Sequence, residues 1–165
     1  MKRVAMTSSF DNLRTAATRR DKRMEALFTA LLRLPGYLSE WGMSKDARET
    51  ARSLCEFFDS EIDRHRNEQE VRLFPALLAS VRDRDSAVMR DRVATFTADH
   101  CALEHAWKKL RPRLVAVGFG RPARLAIDEA ARFATLYRNH VADEHRQLFA
   151  AAFGAEHPRT DERSK

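Results

Sequence analysis

Residues 89–117 read MRDRVATFTADHCALEHAWKKLRPRLVAV. Met89, Val93, Phe96, His100, Leu103, Trp107, Leu110, Leu114 and Val117 recur at alternating intervals of four and three, the spacing that lines up one face of an α-helix. The stripe is apolar at every position except His100, so that imidazole is expected to point inward with its neighbours. Three further stripes of the same period flank it: Ala17, Asp21, Met24, Phe28, Leu31; then Leu54, Phe58, Ile62, His65, Gln69, Leu73; then Ala130, Phe133, Tyr137, His140, Glu144, Leu148, Ala151. No strand-like alternation competes with them. The few Gly and Pro residues fall between the stripes, at Leu34-Pro35-Gly36 with Gly42, at Pro75, at Gly118-Phe119-Gly120 with Pro122, and at Gly154 with Pro158. An all-α, up-down-up-down four-helix bundle follows. Ser44 is a candidate N-cap for the second helix with Asp46 in its first turn, Asp85 or Ser86 for the third, and Gly120-Arg121-Pro122 a candidate start for the fourth. One domain over residues 1–153 is expected, with 154–165 a charged, frayed tail.

Composition narrows the classes further. With 165 residues, 44% of them hydrophobic and 33% charged, the chain suits one globular domain. Two cysteines, Cys55 and Cys101, cannot staple a disulfide scaffold of this size. No stretch approaches the roughly 18 apolar residues of a membrane span, and the first dozen residues lack a signal-peptide core, which points to the cytoplasm and away from a membrane partner. The net charge of +6 comes from 30 basic and 24 acidic residues that are largely interleaved. Basic pairs such as Arg19-Arg20, Lys22-Arg23 and Lys108-Lys109 read as solvated helix faces, and without a groove-reading motif nucleic acid is not the expected partner.

Each stripe carries polar interruptions: Asp21 on the first helix, His65 and Gln69 on the second, His100 on the third, His140 and Glu144 on the fourth. In an antiparallel bundle, residues equidistant from a turn share a level. Asp21 and His65 are equidistant from the turn at 42–44, His100 and His140 from the turn at 119–121, and His65 and Gln69 bracket His100 across the turn near 83. All six therefore fall in one layer. A single histidine on an apolar stripe is ordinarily a hydrogen-bonded core residue. Three imidazoles, two carboxylates and an amide converging from four helices are instead what a metal centre in a bundle core requires. Nitrogen and oxygen donors without thiolate favour iron, manganese or zinc, and six candidates exceed the needs of one tetrahedral zinc, so a di-iron site is the better fit. His105 and His145 follow His100 and His140 by five positions and should face solvent.

The segment His65-Arg66-Asn67-Glu68-Gln69-Glu70-Val71-Arg72-Leu73-Phe74-Pro75, with Asp99-His100 through Leu103-Glu104 to Trp107 and with His140-Val141-Ala142-Asp143-Glu144, resembles the hemerythrin-like HHE cation-binding family over about residues 10 to 153. The resemblance implies a four-helix bundle around a non-haem di-iron centre. It carries the metal-ligand role to His65, His100, His140 and Glu144. Asp21 stands where the family has its helix-one histidine, and Gln69 where the family has the glutamate that bridges the irons. Glu68, beside Gln69 but off the stripe, is a candidate to swing inward. The expected site is thus His65, His100, His140, Glu144, Asp21, Gln69 and Glu68, holding two irons, one, or none.

The expected function is the binding of iron, or of dioxygen or nitric oxide at that iron, in a sensing role, with a homodimer kept among the partners. A di-iron oxidase or peroxidase is the enzymatic alternative. Bundles of that kind use Glu-x-x-His on two helices, and none of the six histidines has Glu three positions earlier, so the chain reads as a binding module before an enzyme. A haem protein is disfavoured by the absence of Cys-x-x-Cys-His and by a polar layer that leaves little apolar room. A metal-free interaction bundle with an anionic partner is the remaining alternative.

Overall fold

The computed structural model describes residues 2–81 and 83–149; the side chains of residues 2–18, 21, 83, 84 and 149 are outside the description. The tail expected over 154–165 also lies outside the described residues. The fold is an all-α four-helix bundle with no strand among the described residues. Its helices are α1 (Lys2–Trp41), α2 (Lys45–Asn67), α3 (Phe74–Ser80), α4 (Asp83–Gly118) and α5 (Ile127–Glu144), and π-helical turns at Glu68–Leu73 and His145–Phe149 continue α2 and α5. None of them is long and apolar enough to cross a membrane.

Helix boundaries follow caps more than proline. The expected break at Leu34-Pro35-Gly36 does not occur, because α1 continues through Pro35 to Trp41. An interior proline forfeits one backbone hydrogen bond at a cost of about 3 kcal/mol. Burial of Leu31 and Leu34 on the same stretch offsets it. The helix ends at Gly42, whose φ of 66° suits a residue without Cβ. Ser44 then caps α2, its Oγ accepting the amide of Ala47 at 3.1 Å. At the other long turn, Gly120 (φ 70°) closes α4 rather than opening the next helix. Its amide donates to Val117 O and that of Arg121 to Ala116 O, the paired bonds of a Schellman motif. Residues 120–122 are thereby committed to the end of α4, and α5 starts only at Ile127 with Asp128 and Glu129 in its first turn. The third long helix likewise begins at Asp83, before the expected Asp85 or Ser86; Ser86 Oγ instead accepts from Arg90 at 3.1 Å.

The chain forms two compact units. In the first (Met1–Phe58 with Leu110–Ala131), Phe28 and Phe58 stack with ring centroids 5.4 Å apart, and Leu31, Leu54, Leu114 and Val117 are buried. Arg52 Nε donates to Gly118 O at 2.9 Å and ties α2 to the end of α4. In the second (Asp59–Lys109 with Arg132–Lys165), Trp107 packs on Phe133 and donates its indole N–H to Asp59 at 2.9 Å. A separate apolar cluster there joins Phe74, Leu77, Met89, Phe96 and Leu148. The second unit also holds Glu61, Gln69, His100, His140 and Glu144, the buried polar and charged residues among those described.

Candidate metal centre

His65 and Gln69 come from α2 and its π-helical turn, His100 from α4, and His140 and Glu144 from α5, all within the second unit. In the π-helical turn the amide of Phe74 donates to Gln69 O, five residues back, so the turn holds one more residue than an α-helical one. The stripe therefore steps from Gln69 to Phe74, and Leu73, expected inside, is only partly buried. That register slip lays the Phe74 ring parallel to His100, with centroids 6.0 Å apart.

Three imidazoles meet with ring centroids 5.7 Å (His65–His100), 5.2 Å (His65–His140) and 4.8 Å (His100–His140) apart. One ligand nitrogen from each lies within 4.8 Å of the others. His65 Nε2 is 3.0 Å from His140 Nε2 and 3.4 Å from Glu144 Oε2. The Gln69 amide spans two rings, 3.2 Å from His65 Nε2 and 3.1 Å from His100 Nε2. Gln69, His100, His140 and Glu144 are all buried. Phe96 adds an edge contact to His140, and Tyr137 lies beside His65.

Among the described side chains, the other candidate, Glu68, does not join them. Glu68 is half exposed and turns to Arg64, 2.6 Å away, instead of swinging inward. Asp21 is on α1, and its side chain lies outside the described residues. His105 and His145 are exposed. Two carboxylates absent from the sequence-derived set stand behind the rings. Glu70 Oε1 is 2.8 Å from His100 Nδ1, and Asp99 Oδ2 is 3.7 Å from His140 Nδ1, a buried atom without a hydrogen-bond partner. The available signal was an acid one position from a stripe residue, which a pattern of period 3.6 leaves unread.

Burial pushes the His100 imidazole below its ordinary pKa, against the pull of Glu70. Burial, and then the neighbouring His100, pushes His140 down to about 4. Burial works to raise Glu70, yet its bonds to His100 and Arg66 hold it below the carboxylate range. Both buried rings are therefore neutral at pH 7, the form in which imidazole binds a metal. A stability consequence follows for the metal-free protein. An unfolded histidine titrates near 6.5, so between pH 6.5 and 4 the unfolded chain takes up a proton that folded His140 refuses. Stability is full above pH 6.5 and falls as pH drops through that window, the whole shift being worth about 3 kcal/mol. Urea midpoints in chelator should decline from pH 7 to 4.5; an unchanged midpoint would contradict the burial of a neutral ring.

The donor set can be tested against an ion. Ligand atoms each about 2.0–2.2 Å from one metal stand roughly 3 to 3.5 Å apart. The separations of 3.0 Å between His65 and His140 and 3.4 Å between His65 and Glu144 match that requirement, whereas the full set of three imidazole nitrogens extends to 4.8 Å, so His100 has to close in before all three share one ion. The resemblance implies a bridging carboxylate at position 69 for a pair of irons, and the buried side chain there, in the π-helical turn, is the amide of Gln69.

Residues 12–152 match the family model described as the hemerythrin HHE cation binding domain. No curated protein and no solved structure matches the chain. The match spans most of the sequence, and the chain belongs to this family.

Proposed function

We propose that this member of the hemerythrin HHE family binds one non-haem divalent cation, iron first, through His65, His100, His140 and Glu144, with the Gln69 amide as a neutral further donor. The observation that carries the reading is the convergence of three imidazoles, two of them buried and kept neutral, on one point. Imidazole and carboxylate oxygen without thiolate suit iron, manganese or zinc. The bound ion would supply Lewis acidity and, if iron, reversible redox chemistry; the residues hold it, keep its ligands unprotonated and exclude bulk water. Were all five donors to hold one six-coordinate cation, a position would remain for a small ligand. Next to His65 and His100 lies a cavity of about 10 Å³, lined also by Ile62, Arg66, Leu103 and Tyr137. It is of the order of a single water-sized molecule. These features support a module that senses iron, or dioxygen or nitric oxide at the iron, ahead of a di-iron oxidase.

Protein purified without chelator should carry close to one metal per chain, mostly iron, and its absorption spectrum should change on exposure to nitric oxide. Two irons per chain would restore the dinuclear reading. No metal, and no uptake from added ferrous or cobaltous ion, would favour a hydrogen-bonded network, for which the Gln69 amide bridging two imidazoles is the supporting contact.

A further inference from the structure

His100 offers its two ring nitrogens to two competing acceptors. On one side Nδ1 lies 2.8 Å from Glu70 Oε1, and on the other Nε2 lies 3.1 Å from Gln69 Oε1. A neutral imidazole has one proton to give. Glu70 also accepts from the Arg66 guanidinium, and a carboxylate paired with a cation in this way can only accept. The charge-assisted bond is roughly twice as strong as a neutral one. The proton therefore sits on Nδ1, which leaves the Nε2 lone pair facing Gln69 Oε1 at 3.1 Å, a contact of two acceptors that a shared cation would relieve.

Glu70 does not hold this position alone. Arg66 Nε is 3.3 Å from Glu70, and Arg66 Nη1 is 3.0 Å from Glu104 Oε2. Glu104 in turn is 2.5 Å from Lys108 Nζ. An ion-pair chain thus runs from α4 through α2 to the far side of a ring in the cation site.

We infer that Glu70 is a positioning residue of the centre: it fixes His100 as the Nδ1–H tautomer, with Nε2 aimed at the cation, and thereby sets cation affinity. The inference rests on the cation-binding reading above for its affinity arm, and on geometry alone for its tautomer arm. Without Glu70, Gln69 Oε1 becomes the better acceptor. The proton moves to Nε2, and a cation must displace it before His100 can bind. Loss of a ligating histidine's hydrogen-bond partner typically weakens metal affinity by about 10–100-fold.

The experiment compares wild type, Glu70→Ala, Glu70→Gln and a control, Glu68→Ala, which removes an exposed carboxylate two positions away. Ring nitrogen-15 NMR of the metal-free proteins, with His100 assigned by its loss in His100→Gln, should show Nδ1–H in wild type and in the control. In Glu70→Ala the proton should appear on Nε2. Cobaltous ion titrations should show affinity about 10–100-fold weaker for Glu70→Ala, intermediate for Glu70→Gln, whose amide oxygen still accepts, and unchanged for Glu68→Ala. An unaltered His100 tautomer in Glu70→Ala, or affinity within twofold of wild type, would overturn the inference. Should Glu70→Ala fail to fold, Glu70→Gln decides, with affinity equal to wild type overturning the inference. Wild type that binds no cobalt defeats the cation reading instead, and the tautomer of the metal-free protein then decides the role of Glu70 separately.

Discussion

Replacing His100 by alanine is expected to abolish cation binding while leaving a folded helical protein. The residue sits mid-helix on α4, where alanine is the better helix former, so local structure is not at risk. What is lost is one of three convergent nitrogens, together with the ring that Phe74 stacks upon. The fall in affinity should exceed the roughly 100-fold ceiling for losing a second-sphere partner, because here the donor atom itself disappears. Glu70 keeps Arg66 as its counter-charge, so no isolated buried charge is created. The expected stability loss is therefore that of a cavity and two orphaned contacts, about 2 to 4 kcal/mol. Metal analysis and thermal unfolding in chelator read the two effects apart. A variant with unchanged metal content would show that the imidazole cluster is not where the cation resides.

The stripe on α4 shows why the fold was legible. All its positions but Val93 are buried, and His100 is buried among them as the pattern required. An amphipathic helix records its buried face in the sequence because burial of each large side chain is worth about 1.5–3 kcal/mol. The meeting of three imidazoles followed from the same arithmetic, since inward-facing residues level with one another in an antiparallel bundle must converge. What the pattern missed has a common origin. Gly120 serves equally well to end one helix or to begin the next, and only the amides of Gly120 and Arg121 pairing backwards decide between them. Pro35 marks a break in isolation but not where Leu31 and Leu34 anchor the turns around it. The π-helical turn at Glu68–Leu73 inserts one residue into the period, which moved the buried position from Leu73 to Phe74 and left Glu70, not Glu68, beside a ring. These are tertiary choices between local conformations of similar energy, and a periodicity of 3.6 cannot encode them.

Gln69→Glu should have the second largest effect, with opposite signs in the metal-free and metal-bound protein. Gln69 is buried, and its neutral amide contacts both His65 and His100 without adding charge to a cluster that already contains the Glu144 carboxylate. A glutamate there would place a second carboxylate among the clustered imidazoles. Each of its two outcomes without metal is costly: ionised, it is a desolvated charge beside a like charge; protonated, its pKa is driven up. The metal-free variant should lose several kcal/mol at pH 7 and recover part of it on mild acidification, as the new carboxyl takes up its proton. Once a divalent cation is present the same carboxylate becomes a ligand and a potential bridge, since an ionised oxygen attracts the ion far more strongly than an amide oxygen does. Iron content should then rise from about one toward two per chain, and the midpoint difference between metal-loaded and metal-free protein should exceed that of wild type. The comparison needs iron analysis together with unfolding curves measured with and without chelator. Equal iron content and equal stability in wild type and Gln69→Glu would mean that position 69 does not face the cation, and the assignment of the amide as a donor would fall with it.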